Sequence, residues 1–245
     1  MPTNPENVLP YSSNEQKDIQ IEQMFDKIAK RYDRLNHILS LGFDWSWRRK
    51  CIDYFRPYTP KKMLDIASGT GDLAILACKR LNPEQVIAAD LSMEMMNIGR
   101  NKAKLAGYAN QIVFDYQNCM ALSYADNSFD AVMVAFGVRN FSNIKQGLAE
   151  MHRVLKPGGH VAILELSVPT YFPMKQLYHM YSNVMVTFMG GVLGLEKAAY
   201  RYLPKSIKVM PQGKEMVDLL LEQGYSKAHV KKFTWGVCSM YTAIK

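Results

Sequence analysis

Asp65-Ile66-Ala67-Ser68-Gly69-Thr70-Gly71-Asp72-Leu73-Ala74 is the stretch on which the reading of the chain turns. The run 61–67 leads into it as a buried strand, Ser68 to Gly71 form a tight turn, and the apolar spacing of 72–81 is helical. Strand, glycine turn and helix in that order open a parallel α/β unit.

Downstream, 85–90 reads as a second short strand, and Ser92 is placed to cap a helix that ends near Gly107. Strands at 111–115, 129–136 and 160–166 follow, with a helix over 143–155 and a sharp turn at Pro157-Gly158-Gly159. A helix over 210–223 leads to two strand-like runs, 228–235 and 237–244, which Gly236 alone separates, so they are antiparallel neighbours. Upstream, Ile21, Met24, Phe25, Ile28 and Tyr32 mark an amphipathic helix over 19–32, and a second helix covers 46–54. The sum is a Rossmann-like doubly wound α/β sheet, mostly parallel with an antiparallel C-terminal strand. Residues 1–16 are expected to be a flexible leader and 17–245 a single domain, in which 17–56 supply N-terminal helices. The Tyr- and Met-rich segment 168–209 fits no strand-helix unit and is expected to be a helical cover over the active site.

The turn contains G-x-G-x-x-A, and Asp90 follows Gly71 by 19 positions, a pattern that a dinucleotide fold would also satisfy. The carboxylates decide between the two. A pyrophosphate at the helix N-terminus would meet Asp72 in the first turn and Asp65 at the strand end, whereas S-adenosylmethionine carries a sulfonium and an ammonium that those groups attract. On this reading Gly69 and Gly71 admit the ligand to the backbone, Thr70 lies beside its methionyl part and Asp90 accepts from the ribose hydroxyls. Asn118 and Cys119, past the third strand, are placed to contact adenine. A plain capping role for Asp72 and a filler role for Cys119 are the alternatives.

The 245 residues, 48% hydrophobic, are enough for one sizeable core. The longest apolar run, 184–195, is well short of the ~20 residues that span a bilayer, and no secretory signal is legible, so a cytoplasmic location is expected. Four cysteines form no C-x-x-C pair and five histidines no ligand cluster with them, so no metal is expected. The net charge of +8 favours polyanions, RNA or an anionic membrane face, but no nucleic-acid motif accompanies it.

Two longer segments carry a resemblance. Tyr32-Asp33-Arg34-Leu35-Asn36-His37-Ile38-Leu39-Ser40-Leu41-Gly42-Phe43-Asp44-Trp45-Ser46-Trp47 resembles Y-D-x-M-N-x-x-[LIVM]-S-x-x-x-H-x-x-W, with Leu35 in place of Met and Asp44 in place of His. Arg153-Val154-Leu155-Lys156-Pro157-Gly158-Gly159-His160-Val161-Ala162-Ile163-Leu164-Glu165-Leu166-Ser167 matches R-V-[LIVM]-K-[PV]-[GM]-G-x-[LIVMF]-x-x-[LIVM]-E-x-S at every fixed position. These segments are similar to the signatures of the ubiquinone/menaquinone biosynthesis C-methyltransferase family, and the similarity runs from Phe25 to the C-terminus.

The resemblance implies the class I S-adenosylmethionine-dependent methyltransferase fold and methylation of a ring carbon in a polyprenyl hydroquinone. Demethylmenaquinol is the acceptor favoured by Ala135-Phe136-Gly137, and an enzyme that also takes the ubiquinone precursor is the alternative. Such chemistry needs the neighbouring phenol, which ordinarily titrates near ~10, to lose its proton. Arg139, at the end of the fourth strand, is the candidate phenolate stabiliser and Asn140 the group that orients the ring; a structural ion pair is the alternative for Arg139. Tyr32, Asn36, Tyr200 and Arg201 are candidate substrate-binding residues. Arg201, Lys205, Lys208 and Arg48-Arg49-Lys50 are candidates for peripheral contact with anionic lipid at the inner face of a membrane, and a homodimer is compatible with the pattern. The rival acceptor is RNA, on net charge alone; the other rivals are a non-catalytic module of the same fold and a nicotinamide oxidoreductase.

Overall fold

A computed structural model describes residues 5–191 and 197–245, without the side chains of 183–191, 197 and 200. The strands are β1 (Lys62–Ile66), β2 (Gln85–Asp90), β3 (Ile112–Tyr116), β4 (Phe129–Ala135), β5 (Leu155–Leu166), β6 (Ser226–Phe233) and β7 (Cys238–Ile244). They form one sheet in the order β3-β2-β1-β4-β5-β7-β6. β1 to β5 run parallel, and β7 is antiparallel to both β5 and β6, the mixed sheet expected from the sequence. The helices are α1 (Lys17–Leu39), α2 (Phe43–Tyr54), α3 (Asp72–Leu81), α4 (Met93–Leu105), α5 (Ile144–Val154), α6 (Met174–Gly191), α7 (Lys197–Val209) and α8 (Lys214–Glu222).

Alternate strand residues point to opposite faces, so β1 sends Leu64 and Ile66 to one side and Met63 and Asp65 to the other. Leu64 and Ile66 join Leu148 and Met151 of α5 and Met216 and Leu220 of α8 in one core layer. Met63 joins Trp47 and Ile52 of α2 and Leu73 and Ala77 of α3 in the second. Covering both faces explains the unbroken apolar strands that the sequence shows. A third, smaller cluster places Ile21 and Met24 of α1 against Tyr202 of α7.

Several boundaries differ from the sequence reading for local reasons. α1 runs on past Tyr32 to Leu39, and Leu41 (φ 51°) and Gly42 (φ 77°) stop it by turning left-handed. The first signature is therefore the end of α1 plus the start of α2. Pro157-Gly158-Gly159 lies inside β5, where the register passes from Phe129 opposite Leu155 to Ala131 opposite His160, so the expected turn is a bulge. From residue 5 on, the leader is tied down: Lys17 Nζ donates to the Pro5 carbonyl (3.0 Å), and Tyr11 N donates to Gln20 Oε1 (3.0 Å).

The strand order reverses between β1 and β4, and a crevice opens at their C-terminal ends. A wedge holds the glycine turn there. The Phe114 ring fills the space over Gly71 and Gly99, at both of which a Cβ would lie within 2.8 Å of it. Gly71 thus serves packing between β3, α3 and α4. Gly99→Ala gains about 1 kcal/mol of helix propensity, but the overlap with a rigid ring costs more. The variant should be less stable by about 1–2 kcal/mol in urea unfolding, and Phe114→Leu should restore part of the loss; full stability of Gly99→Ala alone would contradict the wedge.

Candidate active site

Two adjoining cavities occupy the crevice. The first, of about 60 Å³, is lined by Gly69 and Ala67 after β1, Asp90 at the end of β2, Cys119 after β3, Gly137 and Asn140 after β4, and by Asp18, Phe25 and Tyr32 of α1. The second, of about 310 Å³, lies between the α1–α2 corner, α6 and α7, and its walls are largely apolar, with Asn36, Asp44, Arg139 and Tyr178 among the polar side chains. Phe136, in the left-handed region at φ 61°, lines both. A bulky residue held there is the kind of backbone strain that functional corners carry.

In the first cavity, Asp90 accepts from Gly69 N (2.7 Å, on Oδ2) and Ser92 N (2.8 Å, on Oδ1), and burial pushes its carboxyl above the usual range against those donors. Its remaining acceptor sites suit a diol. A Cβ on Gly69 would meet nothing closer than Tyr32 Cε1 at 4.0 Å, so open space adjoins that backbone. Asn140 Oδ1 is buried and unpartnered among the described residues, an acceptor available to a donor-bearing ligand. These features fit a ligand with a ribose and an ammonium, as S-adenosylmethionine has.

The remaining residues picked from the sequence sit elsewhere. Thr70 Oγ1 donates to Asp33 Oδ1 (2.7 Å) and accepts from Lys102 Nζ (3.0 Å), which also donates to Asp33 Oδ2 (2.8 Å) and pairs with Asp72. Asp72 is thereby neutralised, and it does not offer a free charge to a cationic ligand as the sequence reading supposed. Asn118 spends its amide on Asp18 Oδ2 (3.0 Å) and its carbonyl oxygen on Met120 N (2.9 Å). Asp65 is buried on the α2–α3 side with Oδ2 unpartnered, and burial, then the charge of Asp90, pushes its carboxyl well up. Thr70, Gly71, Asn118 and Asp65 therefore frame the cavity without lining it, whereas Gly69, Asp90 and Cys119 line it.

The bonds of Thr70 and Asn118 belong to a wider set that holds α1 across the strand ends. Asp18, Asp26 and Asp33 of α1 accept from Asn118, Ser92 (2.5 Å) and Thr70 in turn. Lys17 Nζ donates to the Phe141 carbonyl (3.0 Å), and burial brings its ammonium pKa down to about 8, against the pull of Asp18.

In the second cavity, Arg139 Nη1 donates to Glu165 Oε1 (2.9 Å) and to the Phe136 carbonyl, and Arg139 N donates to Glu165 Oε2 (3.2 Å). Burial opposes the guanidinium charge, but Glu165 and the nearby tyrosines outweigh it and the pKa is raised. The structural ion pair considered for Arg139 is present. Yet among the described residues only Nη1 of the guanidinium has an acceptor, and Arg139 lines the cavity, so donors remain. Asn140 faces the first cavity and Arg139 the second, so the two are divided between them. Tyr32 likewise lines the first cavity, and Asn36 the second. Arg201 is exposed and lines neither, and the Tyr200 side chain lies outside the described residues.

Of the lining residues to which the sequence reading gave no role, three stand out. Burial, offset by Arg139, pushes the Tyr178 hydroxyl to about 12, and Trp235 closes one wall. The third is Asp44, whose carboxylate accepts from His37 Nδ1 (3.0 Å), Ser40 Oγ (2.7 Å) and Arg48 Nη1 (2.5 Å). Burial acts to raise it, but those donors hold it below the usual carboxylate range. Only Asp44 and Arg48 share a helix, at i,i+4, and that pair is the signal that could have pointed to the cluster. Among the described residues no group of His, Cys, Asp or Glu could hold a metal, and the four cysteines are free.

A family model described as the ubiE/COQ5 methyltransferase family matches residues 12–245. The chain belongs to that family. It is 50% identical over 240 residues to the demethylmenaquinone methyltransferase of Bacteroides fragilis, covering 98% of each chain. It is 38% identical to the ubiquinone/menaquinone biosynthesis C-methyltransferase of Geotalea daltonii, covering 94% of this chain and 98% of that one. The fold is similar to that of a putative S-adenosyl-L-methionine-dependent methyltransferase from Methanococcus maripaludis, with a TM-score of 0.64, 20% identity and 96% coverage of both chains.

Asp90→Ala should weaken binding of S-adenosylmethionine at least about tenfold in calorimetry, the loss of a charge-assisted hydrogen-bond pair. Unchanged affinity would remove Asp90 from the ligand site.

Proposed function

We propose that this chain transfers the methyl group of S-adenosylmethionine to a ring carbon of demethylmenaquinol. The observation that carries the reading is the Arg139 guanidinium in the wall of a largely apolar cavity of about 310 Å³ that meets the cofactor cavity at Phe136. The names of the 50% and 46% identical relatives from Bacteroides fragilis and Porphyromonas gingivalis support this acceptor. When bound, S-adenosylmethionine supplies an electrophilic methyl group, and Gly69, Asp90 and Asn140 are the residues that would hold it.

The protein's own part is to make the ring carbon nucleophilic and aim it. An acceptor hydroxyl beside Arg139 loses its proton more readily, because a cation nearby favours the phenolate. The guanidinium stays charged and acts by stabilising rather than by taking the proton. Leu39, Phe43, Trp47, Leu166 and Ile207 exclude water and hold the ring and the start of its tail. A nucleotide acceptor, as the RNA alternative requires, is poorly matched to these walls. Within 168–209, the described helices α6 and α7 act as the cover of this side.

The tail must come from a lipid phase. Leu41 (68% exposed) and Trp235 (64%) line the cavity and project outward. Arg49, Lys50, Lys205 and Lys208 are exposed, whereas Arg48 is buried against Asp44 and drops out of the set inferred from the sequence. No described helix is long and apolar enough to cross a membrane. We therefore read the chain as a cytoplasmic protein that docks this rim on the inner membrane face.

Incubation with labelled S-adenosylmethionine and short-tailed demethylmenaquinol, or the demethylated benzoquinol, under reducing conditions should label the naphthoquinol. Labelling of both would make the enzyme dual-pathway, and labelling of neither with cofactor bound would overturn the acceptor. Arg139→Ala made with Glu165→Gln, to avoid a stranded buried carboxylate, should lower the rate about a hundredfold; a rate within about threefold of wild type would remove Arg139 from the mechanism. The protein should also partition to anionic vesicles over neutral ones, and equal partitioning would count against docking.

A further inference from the structure

One stripe of α6 forms a wall of the second cavity: Met174, Leu177, Tyr178, Tyr181 and Ser182 line it at helical spacing. The Tyr181 hydroxyl donates to the Leu39 carbonyl (2.9 Å), which fastens this stripe to the end of α1 and steadies Tyr178, nearly one turn earlier. The Tyr178 hydroxyl has no hydrogen-bond partner among the described residues. The buried polar side-chain atoms left without a partner there are Asp65 Oδ2, Ser68 Oγ, Arg139 Nε and Asn140 Oδ1. The Tyr178 hydroxyl is not one of them, so it is open to the cavity rather than sealed in protein.

Most other polar side chains of this lining are engaged. Thr234 Oγ1 accepts from Trp47 Nε1 (2.8 Å), Ser40 Oγ donates to Asp44 (2.7 Å), and His37, Ser40 and Arg48 together cover the Asp44 carboxylate. Asn36 and Tyr178 keep open ends, and Tyr178 lies within the field of Arg139, whose charge offsets part of the burial of its hydroxyl. Pushed up to about 12, that hydroxyl stays protonated near neutrality. A protonated tyrosine both donates and accepts, so it can meet either a ring hydroxyl or a phenolate.

We propose that Tyr178 binds the methyl acceptor directly, its hydroxyl bonding to the ring oxygen that Arg139 does not hold. The proposal rests on the reading of the second cavity as the site of a two-oxygen aromatic ring. A flat ring in apolar walls, held at one oxygen, can pivot about that oxygen. Held at two, by Arg139 from the segment after β4 and by Tyr178 from α6, it presents one edge to the cofactor cavity, the condition for an in-line transfer. Because Tyr178 belongs to the cover, the same bond makes the seating of α6 part of acceptor recognition.

The test is anaerobic calorimetry of the full chain with S-adenosylhomocysteine, the unreactive cofactor product, already bound. Three ligands are titrated: a short-tailed demethylated naphthohydroquinone and its two analogues that each lack one of the ring hydroxyls. Tyr178→Phe, which removes only the hydroxyl, should weaken the two-oxygen ring about five- to tenfold, the loss of one hydrogen bond. It should leave one of the two analogues, the one without the oxygen beside Tyr178, within about twofold of its wild-type affinity. Comparing each ligand with itself cancels the differences in hydrophobicity among the three, and a merely structural defect would weaken all of them alike. No loss on the two-oxygen ring, or an equal loss on all three ligands, overturns the role of Tyr178. Binding of none of them by wild type overturns the acceptor reading itself.

Discussion

The buried pair between Arg139 and Glu165 governs the arrangement of the site. A guanidinium is very costly to remove from water, and the cost is met only when its partner and further acceptors are fixed in place. Glu165 is fully buried on β5, and its oxygens accept from Arg139 Nη1, Arg139 N and Leu166 N. The Phe136 carbonyl takes a further bond from the guanidinium, so residues 136–140 are pinned from both ends. That short segment is the wall between the two cavities. A looser pairing would let the wall drift, and with it the alignment of donor and acceptor on which methyl transfer depends.

The placement of groups around this wall follows from the sheet. β1 and β4 end side by side where the strand order reverses, and Ala67 and Phe136, the residues just past their ends, are both left-handed (φ 51° and 61°). The chain therefore turns sharply off each strand, and Gly137 can lie so close to Ala67 that a Cβ there would be 2.6 Å from the alanine methyl. Such crowding ties the glycine turn to the Arg139 segment as one rigid unit.

The sheet was legible in the sequence because strands buried on both faces are apolar throughout, and the turn residues between them are distinctive. Asp90 was legible for the same reason, since its place at the end of β2 follows from the strand alone. The bonds of Thr70, Asn118 and Asp72 were not legible because their partners, Asp33, Asp18 and Lys102, are 37, 100 and 30 positions away. A polar residue beside a ligand site looks the same in sequence whether it faces the ligand or a covering helix. Asp44 was seen only as a departure from a motif, because its meaning comes from His37 and Arg48, which α1, the corner at Gly42 and α2 bring together.

α1 is one helix of 23 residues, about 34 Å long at 1.5 Å per residue. Asp18, Phe25 and Tyr32 line the first cavity, and Asn36 and Leu39, near the other end, line the second. A rigid rod that walls two chambers cannot shift over one without disturbing the other. A substitution that tilts the rod at one chamber therefore alters the wall of the other, so the geometry of the two chambers is set together.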